Sequence, residues 1–163
     1  IINITKFSTM TNVLMVCLGN ICRSPMAEGI LRSKANELGI KVKVDSAGTA
    51  NFHVGECPDS RAIKTAKQFG VDISPLRGRQ FNETDFDKFD HIFVMDGSNK
   101  ENVLKLARNE NDKKKVKLLL ELSSEFESKD VPDPWFGGDE GFVEVYEMLD
   151  KACGNFLTQE VKN

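Results

Sequence analysis

Apolar positions along this chain fall into two kinds of pattern. Short unbroken runs read as buried strands, at residues 12–16, 42–44, 91–95 and 116–120. Between them lie stretches with helical spacing. Met26, Ala27, Ile30 and Leu31 predict a helix from Ser24, with Ser24 as its cap, Pro25 in its first turn and Gly39 at its end. Asp59 is a candidate cap for a second helix whose inner face is Ala62, Ala66 and Phe69, closed by Gly70. A third is expected from residue 98 to about 108. A fourth is expected over residues 141–160, with Phe142, Val145, Leu149, Ala152 and Phe156 on one face.

Strands that alternate with helices imply parallel strands joined by right-handed crossovers. The expected fold is therefore α/β, a three-layer flavodoxin-like domain around a four-stranded parallel sheet. Such sheets bind ligands beyond the carboxyl ends of their strands. Cys17 ends the first predicted strand, Ser46 follows the second, Asp96 follows the third, and Asp133 lies in the loop after the fourth. Four polar side chains thus converge on one rim.

Composition narrows the function classes. The chain has 163 residues, 40% hydrophobic and 29% charged, which suits one domain, expected at residues 12–160. Residues 1–11 are expected to be a tag remnant or flexible extension, with Met10 a candidate natural start; they lack the pattern of a signal peptide. A net charge of −3 gives no general basic field for nucleic acid or an anionic membrane. No apolar run approaches the roughly 20 residues of a membrane span. Cys17, Cys22, Cys57 and Cys153 are even in number, but a chain this long and this rich in aliphatics does not need a disulfide framework; with no Cys-x-x-Cys pair and only His53 and His91 as histidines, no metal site is expected either. A reducing, cytoplasmic setting is expected instead. The lysines at 113, 114, 115 and 117 read as a solvated loop, His53 as a surface histidine in preference to one at the pocket rim, and Phe81, Phe86 and Phe89 as core. Cys57 and Cys153 read as structural or incidental.

Cys17-Leu18-Gly19-Asn20-Ile21-Cys22-Arg23-Ser24 is a C-x5-R-S pattern, weak alone but stronger between a strand and a helix start. Successive backbone N–H groups in such a turn form an anion-binding concavity. Gly19 and Asn20 tolerate positive φ. A helix N-terminus and a nearby arginine favour a thiolate. Arg23 offers a planar fork to two phosphate oxygens, and Ser24 can donate to the sulfur. A cysteine ending a strand is otherwise most often plain core.

Val131-Pro132-Asp133-Pro134-Trp135-Phe136-Gly137-Gly138 is the second constellation. Prolines on both sides of Asp133 fix its backbone and disfavour a helix. A fixed carboxyl beside a phosphate site suits a general acid. On its own the segment would be an ordinary turn.

Together these segments, with Asp-Ser-Ala-Gly at 45–48 and Val-Met-Asp at 94–96, resemble low-molecular-weight protein tyrosine phosphatases over about residues 12–157. The resemblance implies hydrolysis of phosphotyrosine in proteins, and of small aryl phosphates, without metal or other cofactor, through a phosphocysteine. It implies Cys17 as nucleophile, Arg23 as phosphate clamp and Asp133 as general acid. Leu18, Gly19, Asn20, Ile21 and Cys22 complete the phosphate loop. Asn20, Ser24 and Ser46 resemble the polar network that holds it, with Asp96 a further support. Cys22 resembles the family cysteine that can form a protective disulfide with the nucleophile. Phe52, Trp135 and Phe136 are the implied pocket wall. Trp135 and Phe136 stand where many members carry two tyrosines, so control by phosphorylation there is absent. A family histidine that supports the loop in some members is replaced near Phe69. The expected partners are phosphotyrosine proteins, and the expected state a monomer or weak dimer.

Three other readings compete. An arginine phosphatase of the same scaffold typically has Thr where this chain has Ile21. An arsenate reductase needs a relay of closely spaced cysteines, which Cys57 and Cys153 do not form. A non-catalytic phosphate-binding module needs neither a thiol nor an acid.

Overall fold

The computed structural model describes residues 9–161. The expectation for the N-terminal stretch falls mostly on residues 1–8, outside that range. β1 spans Thr11–Cys17 and is one of two interior strands of a four-stranded sheet ordered β2-β1-β3-β4, with β2 Val42–Gly48, β3 His91–Val94 and β4 Val116–Leu118. Every pairing is parallel. The sheet and its flanking helices match the expected three-layer α/β architecture.

β1 shows how the sequence dictates the layers. Side chains alternate across a strand, so Val13, Met15 and Cys17 enter one core while Leu14 and Val16 enter the other. An unbroken apolar run is what a strand buried on both faces requires. The first core is closed by α1 (Arg23–Leu38), α2 (Ser60–Gln68) and the long α6 (Asp139–Phe156). The second is closed by Phe81, Phe86 and Phe89 around the short α3 (Asp85–Lys88), and by Val103 of α4 (Gly97–Leu104). The three phenylalanines are core, as expected.

Several local expectations are corrected. Ser24 does not cap α1. The helix starts one residue earlier, Cys22 holds the cap position without a side-chain bond, and the Ser24 hydroxyl is drawn to the Cys17 sulfur instead. Gly39 does end α1, at φ 66°, where only glycine is unstrained. Ser46 lies within β2 rather than after it, opposite Met15. Asp59 caps α2 as expected, but Phe69 leaves the core: it is 47% exposed and stacks on Tyr146 at 4.3 Å. The lysines at 113–115 belong to a short helix, α5 (Glu110–Lys115), capped by Asn109, and Lys115 reaches back to the Phe86 carbonyl. No helix among the described residues is long and apolar enough to cross a membrane.

Candidate active site

β1 delivers Cys17 to the sheet edge, and the chain turns through residues 18–22 into α1. Asn20 takes the left-handed backbone of that turn, φ 58°. Asparagine pays less strain there than most side chains do. Gly19 does not use positive φ; its missing side chain matters because a Cβ there would stand 3.1 Å from the His53 ring. The carbonyls of Cys17, Leu18 and Ile21 accept from the backbone N–H groups of Thr49 (2.9 Å), Ala50 (3.0 Å) and Asp59 (2.8 Å). Those bonds tie the loop's carbonyls to neighbouring segments, and successive backbone N–H groups in such a turn can form an anion cradle.

A directed chain of hydrogen bonds fixes the loop from behind. Asn20 Nδ2 donates to Ser24 Oγ at 2.7 Å and Ser46 Oγ at 3.0 Å, while Asn20 Oδ1 accepts the Arg79 N–H at 3.0 Å. Ser46 Oγ donates to Glu28 Oε1 at 2.7 Å, and Arg32 donates to the other Glu28 oxygen. The Ser24 oxygen, already accepting from Asn20, stands 3.0 Å from Cys17 Sγ. Toward a thiolate, Ser24 is the donor. Glu28 is only 3% exposed; burial pushes its carboxyl above the ordinary range, and Ser46 and Arg32 pull it back in part.

Arg23 is also 3% exposed. Both hydrogens of its Nη1 are committed, to Asp96 Oδ2 at 2.7 Å and the Val131 carbonyl at 2.9 Å. That leaves the Nε–Nη2 edge as the planar fork for an oxyanion. Burial alone would lower the Arg23 pKa, but the facing charges of Cys17, Asp96 and Asp133 more than reverse it. Asp96 is held in turn as the cap of α4, accepting from Asn99 N at 2.8 Å. Asp133 caps a short 3-10 turn, Pro134–Phe136, through Trp135 N at 3.0 Å, and its other oxygen lies 3.9 Å from Arg23 Nη2.

These groups share a cavity of about 230 Å3. Cys17, Leu18, Gly19, Ile21, Cys22 and Arg23 line it on the loop side, and Asp133 faces it with Phe52, Trp135 and Phe136. Ser24, Ser46 and Asp96 stand behind the loop and Arg23 rather than in the cavity. Phe136 is 90% exposed and forms a lip more than a wall. His53, for which a surface position was preferred over one at the pocket rim, does line the cavity beside Trp135, 6.1 Å between ring centres, paired with Glu56. Cys22 is buried, and burial, then Asp59 and Cys17, push its thiol well up. Among the described residues no cluster of three or more His, Cys, Asp or Glu side chains could hold a metal ion.

Sequence reasoning missed Glu28 and Arg79. Only Glu28 carried a signal, four residues after Ser24 and so on the same side of α1.

The family model described as low molecular weight phosphotyrosine protein phosphatase matches residues 12–163. A low molecular weight phosphotyrosine protein phosphatase of Schizosaccharomyces pombe is 41% identical over 148 residues, covering 89% of this chain and 94% of that one. Its human counterpart by name is 37% identical over 151 residues, covering 90% and 93%. A crystal structure of a protein tyrosine phosphatase from Entamoeba histolytica superposes with a TM-score of 0.87 at 36% identity, covering 91% of this chain and 96% of that one.

Proposed function

The chain belongs to the low molecular weight protein tyrosine phosphatase family, and from that premise we propose that it hydrolyses phosphotyrosine in proteins, and small aryl phosphates, through a phosphocysteine at Cys17. The observation that carries this assignment is the hydrogen-bond chain ending on the Cys17 sulfur, with Arg23 and Asp133 facing the same cavity.

In the first step the Cys17 thiolate attacks phosphorus in line with the ester oxygen. Backbone N–H groups of residues 18–23 and the Arg23 fork take up the charge that spreads over the three equatorial oxygens. As the P–O bond breaks, Asp133 gives its proton to the phenolic oxygen, and tyrosine leaves neutral. In the second step the Asp133 carboxylate takes a proton from water as that water attacks phosphorus. The P–S bond breaks, the electron pair returns to sulfur, and Ser24 donates to the thiolate that re-forms. Inorganic phosphate is released.

Ile21 gives the cavity an apolar side, which suits an aryl ester better than a polar guanidinium. Cys153 is fully buried, with burial pushing its thiol up to about 12, and is a poor member of a thiol relay. Phosphoprotein partners follow from the activity. A cytoplasmic setting, a monomer or weak dimer, and reversible oxidation linking Cys17 to Cys22 complete the reading.

Cys17→Ser tests it. The variant should fold, keep phosphate binding and lose turnover of phosphotyrosine by several orders of magnitude, with phosphoarginine and arsenate poor substrates of the parent enzyme. Substantial turnover by pure Cys17→Ser would remove Cys17 from the mechanism.

A further inference from the structure

Asp133 sits on a segment with few anchors of its own. Val131 N–H donates to the Met95 carbonyl at 2.7 Å, and Arg23 holds the Val131 carbonyl. Beyond Val131 the chain makes one 3-10 turn, exposes Trp135 (42%) and Phe136 (90%), and runs through Gly137 and Gly138. Glycines leave such a segment free to sample other backbone states unless something outside holds it.

Arg61, in the first turn of α2, reaches across to it. Its Nη1 donates to the Trp135 carbonyl at 3.2 Å and the Gly137 carbonyl at 3.3 Å, straddling the turn that Asp133 caps. The guanidinium carbon lies 4.7 Å from the Phe142 ring centre and 5.4 Å from that of Trp135, contacts favourable for a cation on aromatic faces. The other side of the guanidinium is occupied by Asp59, with Nε to Oδ1 at 3.0 Å and Nη2 to Oδ2 at 3.1 Å. Asp59 also donates its backbone N–H to the Ile21 carbonyl of the phosphate loop at 2.8 Å. Two residues therefore join the loop that carries Cys17 to the loop that carries Asp133. Burial opposes the Asp59 charge, but its bonds to Arg61 outweigh that and hold the carboxyl below its ordinary value.

Resting on the roles proposed above for Cys17 and Asp133, we propose that Arg61 is a positioning residue for proton transfer: it clamps the Trp135 and Gly137 carbonyls so that the Asp133 carboxyl stays over the leaving oxygen. The plain alternative is an arginine that merely stabilises the start of α2. That alternative would touch stability, and every substrate equally. It also gives no reason for Nη1 to point away from α2 at two carbonyls of another segment. A lysine could keep the charge, but not bonds to a carboxylate on one side and two carbonyls on the other.

The test measures the phosphorylation step by rapid-mixing burst kinetics for Arg61→Met and Arg61→Lys, alone and combined with Asp133→Asn. Two substrates are compared, phosphotyrosine and an aryl phosphate whose phenol is strongly acidic. Small misplacements of a reacting group can cost up to about 100-fold, so Arg61→Met should slow phosphorylation by phosphotyrosine about 10- to 100-fold. The loss should be several-fold smaller for the acidic phenol and nearly vanish when Asp133 is already Asn. Arg61→Lys should recover only part of the rate. Thermal melts establish that each variant is folded; should Arg61→Met not fold, Arg61→Lys carries the comparison. Equal losses on both substrates, full additivity with Asp133→Asn, or unchanged rates would each overturn the positioning role while leaving Asp133 as the acid. Absence of any leaving-group dependence in Asp133→Asn itself would overturn the acid assignment, and this inference with it.

Discussion

Asp133 differs from the other carboxylates near the site in what surrounds it. Asp96 is tied to Arg23 and to the start of α4, whereas Asp133 keeps one oxygen 3.9 Å from Arg23 and is half-exposed to the cavity. If it is the proton donor, Asp133→Asn should lose about 10² to 10⁴-fold in phosphorylation by phosphotyrosine. Tyrosine's phenol ionises near pH 10, so it leaves slowly without a proton. A strongly acidic phenol needs no such help, and the loss on that substrate should be much smaller. Equal losses would move the role elsewhere. Cys17, Arg23 and Asp133 were legible in the sequence because each sits in a short segment whose residue types are unusual together. Their supports were legible only in part: the resemblance named Asn20, Ser24, Ser46 and Asp96, but not Glu28 or Arg79. Asp96 meets Arg23 across 73 residues, and Arg79 meets Asn20 across 59. Nothing local to any of these positions announces its partner. For His53 the sequence left a place at the pocket rim open but favoured plain surface, since its neighbours across the cavity are brought there only by the fold.

Among the elements, the β1–β2 pair sets the height of the phosphate loop. Its register ends with Cys17 opposite Gly48, and a Cβ on Gly48 would stand 2.7 Å from the Leu18 carbonyl and 3.2 Å from Asn20 Cβ. Backbone on one side and a fixed asparagine on the other leave nothing cheap to move. Gly48→Ala should therefore destabilise the protein by about 1 to 3 kcal/mol, as overpacked sites do. It should also lower the rate on phosphotyrosine and on the acidic-phenol substrate alike, because the distorted part is the cradle and not the acid. Denaturant unfolding and burst kinetics check the two halves; a variant with normal stability and rate would show that the loop yields. Element prediction worked where burial sets the pattern, as in β1 and α6, whose apolar positions are buried as spaced. It failed where a polar side chain had a stronger claim than the local rule. Ser24 looked like a cap but is spent on sulfur, and the short α5 carries no apolar stripe to betray it.

In the whole molecule, the two cores on either face of the sheet hold the phosphate loop in place. The Arg23 guanidinium is buried with one nitrogen already fully bonded, and the carbonyls of its loop are tied to other segments. Little remains to be ordered when a tetrahedral oxyanion arrives, so its binding free energy is not spent on rearranging the loop. Such a site does not distinguish strongly between the phosphoryl group it attacks and the inorganic phosphate it releases. Product should accordingly compete with substrate, and it should also act as a folding ligand, since it binds the folded state and not the unfolded one. At a hundredfold excess over its Kd, phosphate adds about 2.7 kcal/mol of stability. For a domain of this size that raises Tm by roughly 5 to 10 °C. Melts in phosphate against chloride at matched ionic strength measure the shift, which Arg23→Lys should reduce. An unchanged Tm would mean that the loop is not a ready-made cradle. A finished active site thus carries a form of feedback without any separate regulatory element: the enzyme slows, and becomes harder to unfold, as its own product accumulates.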